Sequence, residues 1–346
     1  MRRRELLFTL PALLLSPRVF AQGTAPLRTR GMNHVGLAVS DVKRSVDFYQ
    51  GLFGMPVISR QGPTVNLQIG PGPQFLSISP ASGAAPSITR LALAVEDFSV
   101  DRVTAALMAH GVSMADASAG PGLGGALKMQ ARKRGPEAGG AREGTPEFFF
   151  TDSDGVLIQL QDPKYCGGGG VLGNVAAPEP SPKKGALALH DWSHATIFGA
   201  DATRANNFYR DVFGAKPLAY QGTAPAMGIG GVEFLMIAGG VGGGRGRGGP
   251  AAAPAGNINH VCMNMENFQL DAVRKGLESQ GIKDNGNTAA NGKPLLHYTS
   301  LRMENRGGAK EGTAELYFTD PDGLLMQLQD TKYCGGAGLL GEICQA

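Results

Sequence analysis

Apolar and polar positions alternate over short stretches of this chain, then switch to helical spacing, then alternate again. Met32 to Val39 reads as a strand, and from Asp41 to Phe53 the apolar residues Val42, Val46, Tyr49 and Phe53 recur at helical intervals until Gly54 stops the run. Short strands follow at Val57, at Val65 to Ile69 and at Phe75 to Ile78. The pattern then restarts with a strand at Leu91 to Val95 and a helix from Val100 to His110 ended by Gly111. A long glycine-rich loop comes next, then strands at Glu147 to Thr151 and Val156 to Gln161 around the turn Asp152-Ser153-Asp154-Gly155. Each half is predicted to be a βαβββ unit.

The whole arrangement is written twice. Gln159 to Gly173 (QLQDPKYCGGGGVLG) and Gln327 to Gly341 (QLQDTKYCGGAGLLG) agree at 12 of 15 positions. Upstream, Asn33 to Tyr49 aligns without a gap to Ser193 to Tyr209, placing His34 on His194, and Arg90 to Phe98 aligns to His260 to Phe268. Repetition at this period means tandem modules. Module one is expected over residues 30–165, a Gly/Pro/Ala-rich linker over 166–187, module two over 188–333, and a C-terminal tail over 334–346. The tract Gly239 to Gly256 lacks the strand-turn-helix context of a phosphate loop and reads as a solvated connector.

Composition narrows the functional classes. Of 346 residues, 42% are hydrophobic, which suits a globular chain, and the length suits two domains. The net charge of +3 belongs to the N-terminus: the first 21 residues hold four Arg and one Glu, so the remainder has 28 basic against 28 acidic groups. A neutral body has no general grip on nucleic acid or anionic lipid. The opening segment, residues 1–21, has an Arg cluster, the apolar run Leu6 to Leu15 and Val19-Phe20-Ala21 at its end, as an export signal does; Arg3-Arg4-Glu5-Leu6-Leu7 also resembles a twin-arginine signal. A periplasmic or secreted mature protein is expected. Four Cys (Cys166, Cys262, Cys334, Cys344) then allow three full pairings, among which Cys334 with Cys344 and Cys166 with Cys334 stay open, while Cys262 in an apolar strand reads as a buried thiol.

A tandem βαβββ pattern with His on the first strand and a closing Asp-Pro-Asp-Gly turn resembles the vicinal oxygen chelate superfamily, which includes glyoxalase I, bleomycin-resistance proteins and extradiol dioxygenases. The resemblance implies an α+β fold of four βαβββ units forming two modules, each curling eight mixed strands around a concave face with helices behind. Strand parity then assigns faces. Val35, Leu37 and Val39 face the helices and His34 faces the cavity; Val156, Ile158 and Leu160 face the helices and Gln159 and Gln161 the cavity, matched by Gln327 and Gln329. Phe75 and Ser77, and in module two Phe234 and Met236, point inward, with Glu233 on the helix side.

The superfamily's metal ligands occupy one inward position on each of four strands. Carried onto this sequence, module one offers His34, Ser77, Arg90 and Gln159, and the permanent cation of Arg90 argues against a divalent ion there. Module two offers His194, Met236, His260 and Gln327, so two imidazoles and an amide oxygen form a candidate site for Fe, Mn, Zn or Ni, with Tyr317 at the position of a substrate-contacting tyrosine. The set differs from the two-His-one-carboxylate face of extradiol dioxygenases by Gln327 in place of a carboxylate, and Gly308, Ala309 and Lys310 stand where their acid-base His is expected. His110 reads as a structural helix end, and His297 is expected near the mouth of the second cavity. The duplicated Lys-Tyr-Cys-Gly-Gly tails read as clasps closing each sheet.

These observations imply an enzyme binding a small vicinally oxygenated molecule at a metal in module two, for lyase, isomerase or ring-cleavage chemistry. The alternative is a metal-free sequestering protein of the bleomycin-resistance type, binding ligand through His34, Arg90, Gln159, Gln161, Phe234, Met236 and Gln329.

Overall fold

A computed structural model of the chain describes residues 25–120, 122–239 and 256–344. Residues 1–21, read as an export signal, and residues 240–255 of the glycine tract lie outside the described residues.

Module one runs β1 (Thr29–Val39), α1 (Val42–Phe53), β2 (Val57–Gln61), β3 (Thr64–Gln68), β4 (Phe75–Pro80), β5 (Ser87–Val95), α2 (Val100–Ala109), β6 (Ser113–Met114), β7 (Lys128–Arg134), β8 (Thr145–Thr151) and β9 (Leu157–Gln161). Module two repeats this as β10 (Trp192–Gly199), α3 (Ala202–Phe213), β11 (Lys216–Gln221), β12 (Ala224–Gly230), β13 (Glu233–Gly239), β14 (Asn257–Met265), α4 (Leu270–Ser279), β15 (Lys283–Asp284), β16 (Leu296–Arg302), β17 (Thr313–Thr319) and β18 (Leu325–Asp330). Each module is one nine-stranded sheet, ordered β2-β3-β4-β1-β5-β9-β8-β7-β6 and β11-β12-β13-β10-β14-β18-β17-β16-β15. The expected eight strands gain a two-residue edge strand in each copy, and the glycine-rich loop proves to contain β7, whose polar sequence KMQARKR carries no apolar signal. β7 exists because β8 offers it a full ladder from Met129↔Phe150 to Arg134↔Thr145.

Local chemistry fixes the helix ends. The Asp41 side chain accepts the Arg44 N–H at the start of α1, and Gly54, at φ 67°, ends it. Asp201 and Gly214 do the same for α3. Val35, Leu37, Val39, Val156, Ile158 and Leu160 all lie in a single hydrophobic core that also contains Ile197, Leu235, Ile237, Phe318 and Leu328 from module two. The helix-bearing faces of the two sheets therefore share one interior, and the concave faces lie on the other side of each sheet.

Reciprocal contacts bind the modules. In α1, Tyr49 donates to Asp320 Oδ2 at 3.2 Å and Arg44 pairs with Asp322; in α3, Tyr209 donates to Asp152 Oδ2 at 3.1 Å and Arg204 pairs with Asp154. The first helix of each copy thus grips the closing turn of the other. Burial pushes the carboxyl groups of Asp152 and Asp320 up to about 6 each. Glu233 adds a crossing contact: it accepts the Met32 N–H of module one at 2.6 Å.

The clasp reading of the tails agrees with the structure. Arg134 donates to Gly168 O and pairs with Glu147, while Arg302 donates to Gly336 O and pairs with Glu315. Residues 166–187, read as a linker, run back against module one, with hydrogen bonds in both directions between Glu179 and Val57. Cys334 pairs with Cys344, which removes both a Cys166–Cys334 bridge and any tie between the copies; Cys166 and Cys262 are free and buried.

Candidate functional site

In module two, strand register sets one row of side chains across the concave face: Phe234, His194, Cys262, Gln327, Tyr317 and Tyr298 are successive partners from β13 to β16. His260, two residues before Cys262 on β14, faces the same way, its ring 5.6 Å from His194 and edge-on to it. His194 Nε2 and Gln327 Oε1 face each other 3.1 Å apart. The three expected ligands are therefore brought together, and all three are buried. Phe234 stacks under His194 at 4.5 Å, and Met236 lies two residues further along β13. Among the described residues no three His, Cys, Asp or Glu side chains gather as a metal site, so the centre consists of two imidazoles and an amide, without a carboxylate.

The donor atoms suit a divalent ion. His260 Nδ1–H donates to Asn259 Oδ1 at 2.8 Å, because an amide oxygen can only accept, and this leaves the lone pair on a buried Nε2 without a hydrogen-bond partner. Burial, partly offset by neighbouring Gln327, lowers His260 to about 4; burial, then His260, holds His194 well below its ordinary value. Both rings are thus neutral at physiological pH, as ligation requires. Ser193 Oγ lies 3.1 Å from His194 Nδ1, and a hydroxyl that can donate or accept supports either tautomer of that ring.

Tyr317 packs edge-on against His260 at 5.3 Å and stacks on Tyr298 at 5.0 Å; its hydroxyl reaches Glu315 Oε2 at 3.3 Å. Burial, with Glu315 second, holds its phenol well above the ordinary value, so it remains a proton donor. The expected ligand-binder Gln329 is turned to structure, its amide donating to Ala314 O. His297 is a correction: strand alternation puts it on the face opposite Tyr298, fully buried and near Glu278 of α4, away from any mouth. His110 caps its helix as expected, its ring bonding Ala106 O.

Parity alone missed the tyrosine of each clasp. Tyr333 folds back onto the concave face, 5.4 Å from the His194 ring, and is buried. A cavity of about 450 Å³ nevertheless borders the row. Its lining includes Tyr298 and Leu325, which share the concave face with Tyr317 and Gln327, together with Asn257 and Asn259 of β14 and Ser87 and Ile88 of module one. Strand patterning did not anticipate this cavity, because Tyr298 lies in a segment to which it assigned no strand.

Module one has the same row with other contents: Phe75, His34, Ala92, Gln159, Phe149 and Gln130. His34 contacts Gln159 Oε1 at 3.1 Å, Arg90 Nε donates to the same oxygen at 3.0 Å, and Arg90 Nη2 donates to Ser77 Oγ at 3.2 Å. His34 lies between Phe75 at 4.3 Å and Tyr165 at 5.7 Å. Burial and then Arg90 hold its ring well below the ordinary value. Gln161 is buried beyond this row. The expected cavity of module one is a closed network with a cation at its centre.

Residues 31–160 match the model of the Glyoxalase/Bleomycin resistance protein/Dioxygenase superfamily. No curated protein matches the chain. Among solved structures, the Mn(II)-bound glyoxalase from Novosphingobium aromaticivorans is similar at 16% identity and TM-score 0.57, covering 87% of this chain and 82% of that one. A catechol 2,3-dioxygenase is similar at 16% identity and TM-score 0.56, with 90% and 88% covered. The homoprotocatechuate 2,3-dioxygenase of Brevibacterium fuscum, solved with 3,4-dihydroxyphenylacetate, is similar at 15% identity and TM-score 0.57, with 88% and 82% covered. At these identities the likeness is one of fold.

Proposed function

We propose that this two-module chain of the glyoxalase/bleomycin resistance protein/dioxygenase superfamily is an exported enzyme that binds a small vicinally oxygenated molecule at a divalent metal in module two. The observation carrying the proposal is the convergence of His194, His260 and Gln327 beside a cavity, with the His260 Nε2 lone pair aimed at no protein partner. His194, His260 and Gln327 would hold the ion, and an ion so held would supply Lewis acidity to a bound substrate.

The remaining work falls to the chain itself. Asn259 orients His260, and Ser193 Oγ, by accepting from His194 Nδ1–H, would favour the tautomer that leaves Nε2 free for an ion. Tyr317, kept protonated, would exchange its 3.3 Å bond to Glu315 Oε2 for one to a substrate oxygen, favouring the form in which that oxygen carries negative charge. Phe234 and Tyr333 stack on His194 at 4.5 and 5.4 Å and would hold its ring in place. The Cys334–Cys344 disulfide supports an oxidising compartment, in line with the Arg-cluster leader.

Metal analysis of the protein, as purified and after equilibration with Fe²⁺, Mn²⁺, Zn²⁺ and Ni²⁺, tests the proposal. One equivalent is expected, lost in His194→Ala and His260→Ala and retained in His34→Ala. A wild-type protein that takes up none of the four ions refutes the metal reading and leaves the metal-free sequestering alternative. The mass of the mature protein from the periplasm or medium checks export: cleavage near Gln22 is expected.

A further inference from the structure

The cavity beside the candidate centre has a chemical character of its own. Among the described residues, its lining has no charged side chain: the polar groups are Ser87, three Asn and Tyr298, and the rest are aliphatic or glycine. Burial, with Glu315 second, pushes the Tyr298 phenol up to about 12, so it adds no charge either. At about 450 Å³ the cavity is the size of a pocket for a small ligand.

Two of its polar groups keep hydrogen-bonding capacity that the protein does not use. Asn257 Oδ1 is buried and has no hydrogen-bond partner among the described residues. Asn259 uses its Oδ1 on His260, which leaves its NH₂ to donate. One acceptor and one donor on the same strand, opposite the Tyr298 side of the lining, fit a ligand that carries a hydroxyl beside a second oxygen. An anionic group would meet the opposite fate, since a carboxylate transferred into this lining finds no cation to offset its desolvation. Ser87 and Ile88 come from module one, so the pocket is incomplete without it.

We propose that this inter-module cavity is a specificity pocket that admits uncharged, vicinally oxygenated small molecules, holds them through Asn257 and Asn259 against Tyr298, and rejects their carboxylated analogues. The inference deepens the reading of the module-two site and rests on it for the vicinal oxygens, but not for the discrimination by charge. Calorimetric titration of the full chain with catechol and with 3,4-dihydroxybenzoate, in chelator-treated protein and again with Mn²⁺, provides the test. Catechol is expected to bind in both states, and at least about tenfold more tightly than the carboxylate. Asn257→Ala is expected to weaken catechol by up to about tenfold, the worth of one neutral hydrogen bond. Ser87→Lys is expected to narrow or reverse the preference by supplying the missing cation. Equal or tighter binding of 3,4-dihydroxybenzoate, no saturable binding of catechol, or indifference of both probes to Asn257→Ala and Ser87→Lys overturns the proposal. Because discrimination is read without metal, its failure is separable from a failure to bind Mn²⁺.

Discussion

Tyr49→Phe removes one oxygen from the contact that fastens α1 of module one to the closing turn of module two. Asp320 Oδ1 is served by the backbone N–H groups of Asp322 and Leu324, both at 2.9 Å, while Oδ2 has only the Tyr49 hydroxyl at 3.2 Å. After the substitution Oδ2 is buried and unpartnered. The cost depends on protonation. Burial raises the folded-state value of Asp320 to about 6 from 3.8, so its contribution to stability is fully present below about pH 4 and is lost as pH rises through 6, a span of about 3 kcal/mol. The Tyr49 hydrogen bond works against that rise, favouring the ionised form. Its removal should therefore cost about 1.5 to 3 kcal/mol at about pH 8, where the carboxylate is charged, and about 0.5 to 1.5 kcal/mol at about pH 5, where it is protonated. Urea unfolding followed by circular dichroism at both pH values measures this directly, with Asp320→Asn as the reference that should flatten the difference. Tyr209→Phe, at 3.1 Å from Asp152, should behave alike, because Asp152 is likewise raised to about 6. Losses that are equal at the two pH values, or larger in acid, would refute the reasoning.

Three further outcomes are expected. Arg90→His combined with Gly36→Thr should give module one the donor set of module two and a second metal equivalent by elemental analysis. Cys344→Ser should lower stability by about 3 kcal/mol through the lost ten-residue cross-link, with no effect of reductant on the variant's unfolding curve. Gly308→Ala, whose added Cβ would sit 1.7 Å from the Arg302 carbonyl oxygen, should destabilise by more than about 2 kcal/mol in the same assay, and Gly140→Ala, at 1.9 Å from Arg134 O, should match it.

Much of the fold was legible because the chain repeats itself and its strands alternate. Val35, Leu37 and Val39 entered the core as parity required, and His34 and Gln159, 125 residues apart, met across the sheet. What was not legible has physical causes. β7 and β16 lie next to the short edge strands β6 and β15, and their polar groups are satisfied by salt bridges such as Arg302–Glu315, so their sequences look like loop. Tyr165 and Tyr333 follow the last strand of their modules, where alternation says nothing, and the fold-back that buries them depends on the Arg134 and Arg302 bonds to glycine carbonyls. His297 was misplaced because no strand was assigned to its segment, and without a strand there is no parity to read.

The two copies diverge through paired changes rather than single ones. On β1, Gly36 stands opposite Arg90, and a Cβ there would lie 2.6 Å from Arg90 Nη1: the long guanidinium crosses the strand only because its neighbour is glycine. In module two the partner of His260 is Thr196, a branched side chain at the position where module one has only glycine. An arginine at position 260 would collide with Thr196, and a histidine at position 90 would leave a gap above Gly36. Each copy is therefore locked into its own arrangement, one bridging Gln159 and Ser77 with a half-buried cation, the other leaving His260 Nε2 unbonded beside Gln327. Conversion of either site demands both residues of the pair, so Arg90→His alone should destabilise module one without creating an ion site, and the companion change at position 36 should restore the stability that the single variant loses.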